Sequence, residues 1–138
     1  MLMGEQEIKT LRQLFSHPDC HIENLEMEEL DVQEGMSAGV IDAVSTLKRL
    51  LTFDFSNNRL QPQMNASIVQ MIRKYPELQI LCLDHGGMTD AMCRTYFEDM
   101  QSTKLQFLNV SWNQITSESF EHLVTVLNQN QDLERLMM

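Results

Sequence analysis

The stretches LLTFDFSNNRL (50–60), LQILCLDHGGM (78–88) and LQFLNVSWNQI (105–115) decide how this chain folds, because laid over one another they share the pattern LxxLxLxxNxL. Stepping back by the same interval reaches IENLEMEELDV (22–32), and stepping forward reaches LERLMM (133–138). The units therefore start at 22, 50, 78, 105 and 133, at intervals of 28, 28, 27 and 28 residues. Their apolar pattern positions hold Ile22, Leu25, Met27 and Val32, then Leu50, Phe53, Phe55 and Leu60, then Leu78, Leu81, Leu83 and Met88. Leu105, Leu108, Val110 and Ile115 follow, and finally Leu133, Leu136 and Met138. All nineteen are apolar in a chain that is 43% apolar, which chance would give on the order of once in ten million trials.

The second half of each unit has a different period. Positions 15, 19, 20 and 23 read Met36, Val40, Ile41 and Val44, then Met64, Ile68, Val69 and Ile72, then Met92, Tyr96, Phe97 and Met100. In the fourth unit the face slips by one place to Phe120, followed by Leu123, Val124 and Leu127. This spacing is one apolar face of a helix. Thr89 with Asp90 and Ser117 with Glu118 supply helix starts by capping and acidic charge, and Pro76 after Tyr75 marks a helix end. A further helix is expected at about 5–16, where Ile8, Leu11 and Phe15 fall at positions 16, 19 and 23 if the first interval is 29.

Each unit is thus a short strand, a turn, a helix and a return loop. No single unit can bury both its strand and its helix face, so the units must stack. The fold predicted is α/β, a right-handed solenoid with a parallel concave sheet and convex helices, forming one domain over 1–138. The ninth position calls for Asn, whose side chain bonds turn backbone between neighbours. Asn58 and Asn113 comply; Leu30 and Gly86 do not, which predicts irregular turns there, with Gly86-Gly87 the softest.

A 28-residue unit with a full helix in every repeat resembles the ribonuclease-inhibitor-like class of leucine-rich repeats, over essentially residues 8–138. That class is intracellular and includes ribonuclease inhibitor, the GTPase-activating protein of Ran, sensing domains of NOD-like receptors and actin regulators of the tropomodulin type. The resemblance implies a horseshoe segment that recognises proteins. It also implies an alternative, docking regulation of an enzyme or small GTPase. It carries over no individual functional residue.

Charge narrows the partner. The formal net charge is −10, and no Lys or Arg occurs between Arg12 and Lys48, where Asp19, Glu23, Glu26, Glu28, Glu29, Asp31, Glu34 and Asp42 all fall. Such a field repels nucleic-acid backbones and acidic membranes and favours a basic protein, histones among the candidates. No apolar run approaches the roughly 18 residues of a membrane helix, and the first residues lack a signal-type apolar stretch. Cys20, Cys82 and Cys93 are odd in number and unrelated in spacing, which fits reduced thiols in the cytoplasm, or the nucleus.

Positions 3, 5, 7 and 8 should project from the concave sheet or its rim. They grade from Glu26, Glu28, Glu29 and Asp54, through Cys82, Asp84 and His85, to Phe107, Asn109, Trp112 and Met137. The face is therefore expected to pass from acidic to aromatic, with Trp112, the sole tryptophan, as an anchor beside Phe107 and Met137. Catalytic, cofactor and metal sites are not expected. HPDCH (17–21) offers His17, Cys20 and His21 but no fourth ligand at recurrent spacing, and Asp84-His85 lacks an aligned nucleophile. The strand at 133–138 has no helix pattern after it, which points to self-association through that edge, a covering partner or a longer solenoid.

Overall fold

Phe53, Leu81 and Leu108 are wholly buried, and each is the middle residue of a three-residue strand whose flanking side chains point the other way. The computed structural model describes residues 2–98, 100 and 104–138. It contains β1 (Asn24–Glu26), β2 (Thr52–Asp54), β3 (Ile80–Cys82), β4 (Phe107–Asn109) and β5 (Arg135–Met137), all parallel and ordered as in the chain. Asn24, Thr52, Ile80, Phe107 and Arg135 stand in one register row. The steps between them repeat the intervals of the sequence pattern, so the fold is an α/β leucine-rich-repeat solenoid.

The helices are α1 (Glu5–Phe15), α2 (Ser37–Val44), α3 (Asn65–Lys74), α4 (Asp90–Phe97) and α5 (Phe120–Gln129), each packed on the next along one side of the sheet. Single 3-10 turns at Pro62–Met64 and Ser117–Ser119 lead into α3 and α5. The core fills the layer between, with Val40, Ile41, Val44, Met64, Ile68, Ile72, Met92, Tyr96 and Phe97 buried from the helix side. Apolar helix faces plus apolar strand centres make this layer the main source of stability.

The fourth repeat departs from the expected helix face. Ser119, not Phe120, takes the buried position 15, and its hydroxyl donates to Asp90 of the preceding helix. Phe120 turns outward with Val124 and Leu127. Thr89 caps α4 by accepting from the Met92 N–H, as expected. The turn before α5 is capped by Thr116, one residue before Ser117, because Asp90 holds the Thr116 N–H and hydroxyl, each at 2.8 Å.

The two turns expected to be irregular share the left-handed corner of the others, but the one at Gly86-Gly87 does depart from them, with a second left-handed residue at Gly87 (φ 69). Position 8 is left-handed in all four complete repeats, at Glu29 (φ 50), Asn57 (φ 58), His85 (φ 54) and Trp112 (φ 54). Each ninth-position Asn serves the turn of the preceding repeat as well as its own. Asn58 accepts from the Leu30 N–H at 2.8 Å and donates to the Met27, Phe55 and Ser56 carbonyls. Asn113 accepts from Gly86 and Met88 N–H groups and donates to the Leu83 and Val110 carbonyls. Leu30 and Gly86 can thus differ from Asn because a neighbour supplies the bonds. Glycine at 86 follows from crowding, since a Cβ there would lie 2.9 Å from Leu60 carbons.

Replacing Asn58 by Ala would leave several buried backbone groups without partners. A loss of about 3 kcal/mol is expected in urea unfolding, from several bonds worth roughly 1 kcal/mol each. Asn57→Gly, at the exposed left-handed site next door, should change stability by no more than about 0.5 kcal/mol.

Candidate partner-binding face

The strands are only three residues long, but their hydrogen-bond ladder runs on into the corner that follows. The N–H of Glu29, Asn57 and His85 donate to the carbonyls of Ser56, Asp84 and Ser111 in the next repeat. Position 8 is left-handed at these three residues and at Trp112, a region that a bulky residue such as Trp enters only at a cost of about 1–2 kcal/mol. The corner therefore holds its side chains at a fixed rim of the concave face. Trp112 lies there 77% exposed, stacked on His85 with ring centroids 5.6 Å apart and an interplanar angle of 18°. His85 Nδ1 is 2.9 Å from Asp84 Oδ2; a carboxylate can only accept, so the proton is on Nδ1.

Position 7 is less open than the pattern implies. Ser56, Asp84 and Ser111 are buried, and hydrogen bonds tie each of them to polar side chains along the sheet. Asp84 Oδ1 accepts from Ser56 Oγ at 2.7 Å and from Asn109 Nδ2 at 2.9 Å. Ser56 Oγ also contacts Asp54, and Asn109 Oδ1 accepts from Ser111 Oγ at 2.6 Å. A polar chain thus runs Asp54, Ser56, Asp84, Asn109, Ser111 across three strands. Burial pushes the Asp84 carboxyl up, but the hydrogen bonds from Ser56 and His85 outweigh it and hold it below the ordinary aspartate value. Asp84 and Asn109, both expected to meet a partner, are also tied to Ser56, to each other and, through Asp84, to His85 of the His85–Trp112 stack.

Cys82, expected to project between Asp54 and Asn109, is buried as well. Burial, with Asp54, Asp84 and Glu28 nearby, pushes its thiol up to about 12, so it is protonated and a poor nucleophile at neutral pH. Phe107 is half-buried beneath the Arg135 guanidinium, 5.2 Å from its ring centroid, and Met137 stands at the same register row as Asn109. Arg135 stands at position 3 of the fifth repeat, which the repeat count also puts on this face, but neither its stacking on Phe107 nor the long-range polar chain had a local signal in the sequence. Both follow from contacts between residues about one repeat apart.

The acidic end remains open. Glu26, Glu28 and Glu29 are exposed on β1 and its corner, and Asp54 is half-buried beside them. Among the described residues no cation lies within ion-pair distance of these four; Arg49 is taken by Glu23 and Glu77. The charge of Asp54 pushes the Glu28 carboxyl above the ordinary glutamate value, with slight burial and then Glu26, Glu29 and Asp84 adding to it. His17, Cys20 and His21 are not brought together with a further ligand, and among the described residues no group of three or more His, Cys, Asp or Glu could hold a metal. No described helix is long and apolar enough to cross a membrane.

The fold is that of a leucine-rich-repeat solenoid. No protein-family model matches the chain. It is 25% identical over 139 residues to the mouse NACHT, LRR and PYD domains-containing protein 14, an alignment covering 99% of this chain and 14% of that protein's length. It superposes on the tropomodulin C-terminal domain of Caenorhabditis elegans with TM-score 0.79 at 11% identity, covering 96% of this chain and 82% of that one.

Trp112, the sole tryptophan, reports directly on this geometry. Its emission should be red-shifted and quenched by acrylamide nearly as readily as a free indole, and His85→Ala should change its intensity. A blue-shifted, protected emission would contradict the exposed stack.

Proposed function

We propose that the chain is a non-catalytic protein-interaction module that binds a basic protein partner on its concave face. The observation that carries this reading is the position of Glu28. It sits in the field of Asp54, Glu26, Glu29 and Asp84, and among the described residues no cation is paired to Glu26, Glu28, Glu29 or Asp54. A cationic partner relieves that repulsion, whereas an anionic surface adds to it. Trp112, stacked and outward, supplies a rigid apolar anchor at the other end of the face, with Phe107 and Met137 beside it. The 28-residue interval supports placement in the ribonuclease-inhibitor-like class. The free, buried state of Cys20, Cys82 and Cys93 agrees with a reducing compartment such as the cytoplasm or nucleus. Basic enzymes, small GTPases with a basic face and histones are the kinds of partner with suitable charge.

A lysine- and arginine-rich peptide, compared with an acidic peptide of the same length, tests the sign of the interaction. Only the basic one should bind, and the triple change of Glu26, Glu28 and Glu29 to Gln should weaken it about 10- to 100-fold at low salt and flatten its salt dependence. Trp112→Ala with Phe107→Ala should weaken the interaction without changing its salt slope. Equal binding by all forms would refute the concave-face assignment.

The pH dependence has a definite sign. Glu28 takes up its proton above its ordinary value of 4.5 as pH falls. Affinity should therefore be constant near neutrality and begin to decline above pH 4.5, with the Glu28→Gln variant showing a later onset.

A further inference from the structure

β2, β3 and β4 are each hydrogen-bonded to a strand on either side, so the backbone donors and acceptors in the middle of the sheet are used within it. A partner laid on the concave face there meets side chains only. Thr52, Ile80 and Phe107 stand in one register row, and Glu26, Asp54, Cys82 and Asn109 in the other. The carboxylates fall on β1 and β2, whereas Ile80, Cys82 and Phe107 make β3 and β4 more apolar. Ile80 and Phe107 are half-buried, which leaves part of each side chain open to a partner. Arg135 stands next to Phe107 in its row and repels a cation at that end, so the charged and apolar parts of a partner cannot be exchanged.

An extended segment lying across this face would set its own N–H and C=O groups against Ile80 and Phe107, where nothing bonds them, and that desolvation is costly. A helix bonds its backbone internally and presents only side chains. The dimensions agree. Each strand is three residues long, about 10 Å, close to the helix diameter of about 10–12 Å. Neighbouring strands lie about 4.8 Å apart, and successive turns of a helix about 5.4 Å apart. A helix crossing the strands therefore addresses one repeat with each turn. Its residues at i, i+4, i+7 and i+11 fall over β1, β2, β3 and β4 in succession.

We propose that the partner enters as an amphipathic helix laid across the strands, with Lys or Arg at i and i+4 over Glu26 and Asp54 and apolar side chains at i+7 and i+11 over Ile80 and Phe107. The inference rests on the reading of the concave face as the site for a basic partner, and it names the form in which that partner binds. Charge sets the polarity of the helix on the face. Glu28 and Glu29, exposed at the corner after β1, strengthen the field that draws the cationic end to β1 and β2. The corner row from Glu29 to Trp112 runs along one side of the bound helix.

A synthetic peptide of about sixteen residues, built on Ala and Gln with Lys at i and i+4 and Leu at i+7 and i+11, tests this by fluorescence anisotropy and circular dichroism. Its helical signal should rise on mixing with the full chain. A second peptide with Pro at i+5 keeps every charge and every Leu but breaks the helix, and it should bind at least about tenfold more weakly. Glu26→Gln should weaken binding of the helical peptide. Ile80→Thr, which keeps a β-branched side chain in the strand, should weaken it several-fold while leaving binding of the Leu→Gln peptide unchanged. Thermal unfolding checks that the variants fold, and Phe107→Ala takes the place of Ile80→Thr should that variant unfold. Equal binding of the helical and proline-containing peptides, both weakened by Glu26→Gln, would overturn the helix and leave the basic-partner reading in place. Failure of the helical peptide with a chain that still binds the lysine- and arginine-rich peptide would do the same. Failure of all three peptides would overturn both, and an Ile80→Thr protein that binds as tightly as the unaltered chain would overturn the placement of the helix.

Discussion

Asn58 and Asn113 hold this structure together at the point where its units are weakest. A three-residue strand gives few backbone bonds, and the chain must then leave the sheet through a corner whose polar groups are turned into the stack. Each of these Asn side chains bonds backbone groups in two successive corners at once. Without them the corner would carry unpaired backbone groups, at about 1–3 kcal/mol each. Because they tie neighbours together, the units gain stability only as a stack.

The same corner sets the working surface. With position 8 left-handed, whatever residue stands there is displayed at the rim, and the repeat becomes a frame for a row of side chains. In this chain the row reads Glu29, Asn57, His85, Trp112. The strand row beside it carries Glu26 and Asp54 at the acidic end and Met137 at the other. Between them the buried chain from Asp54 through Asp84 to Ser111 fixes the spacing of the two ends. The face thus pairs unneutralised carboxylates with a rigid aromatic stack, and buried Asp84 with half-buried Asn109 links the two.

Much of this was legible in the sequence, for a physical reason. Leu25, Phe53, Leu81, Leu108 and Leu136 are spaced by the repeat itself, so strand positions and register follow from counting. The exposed acidic residues and Trp112 followed from the same count. The burial of Ser56, Asp84 and Cys82 did not, because it depends on residues one repeat away that no local pattern encodes. The slip in the fourth helix was misread since Phe120 and Ser119 both suit a helix; Asp90, 29 residues back, decides between them by bonding the serine. The turns at Leu30 and Gly86 were expected to be irregular because the pattern shows which Asn each repeat has, but not that it serves the neighbour.

Amide and indole shifts of the isotopically labelled chain, titrated with a lysine- and arginine-rich peptide, test the central claim most directly. The account predicts that the perturbed signals are those of β1, β2, the corner residues Glu28 and Glu29, and the Trp112 indole, while the amides of α2 to α4 stay in place. Perturbations confined to the helices, with the strand amides and the indole unmoved, would contradict it.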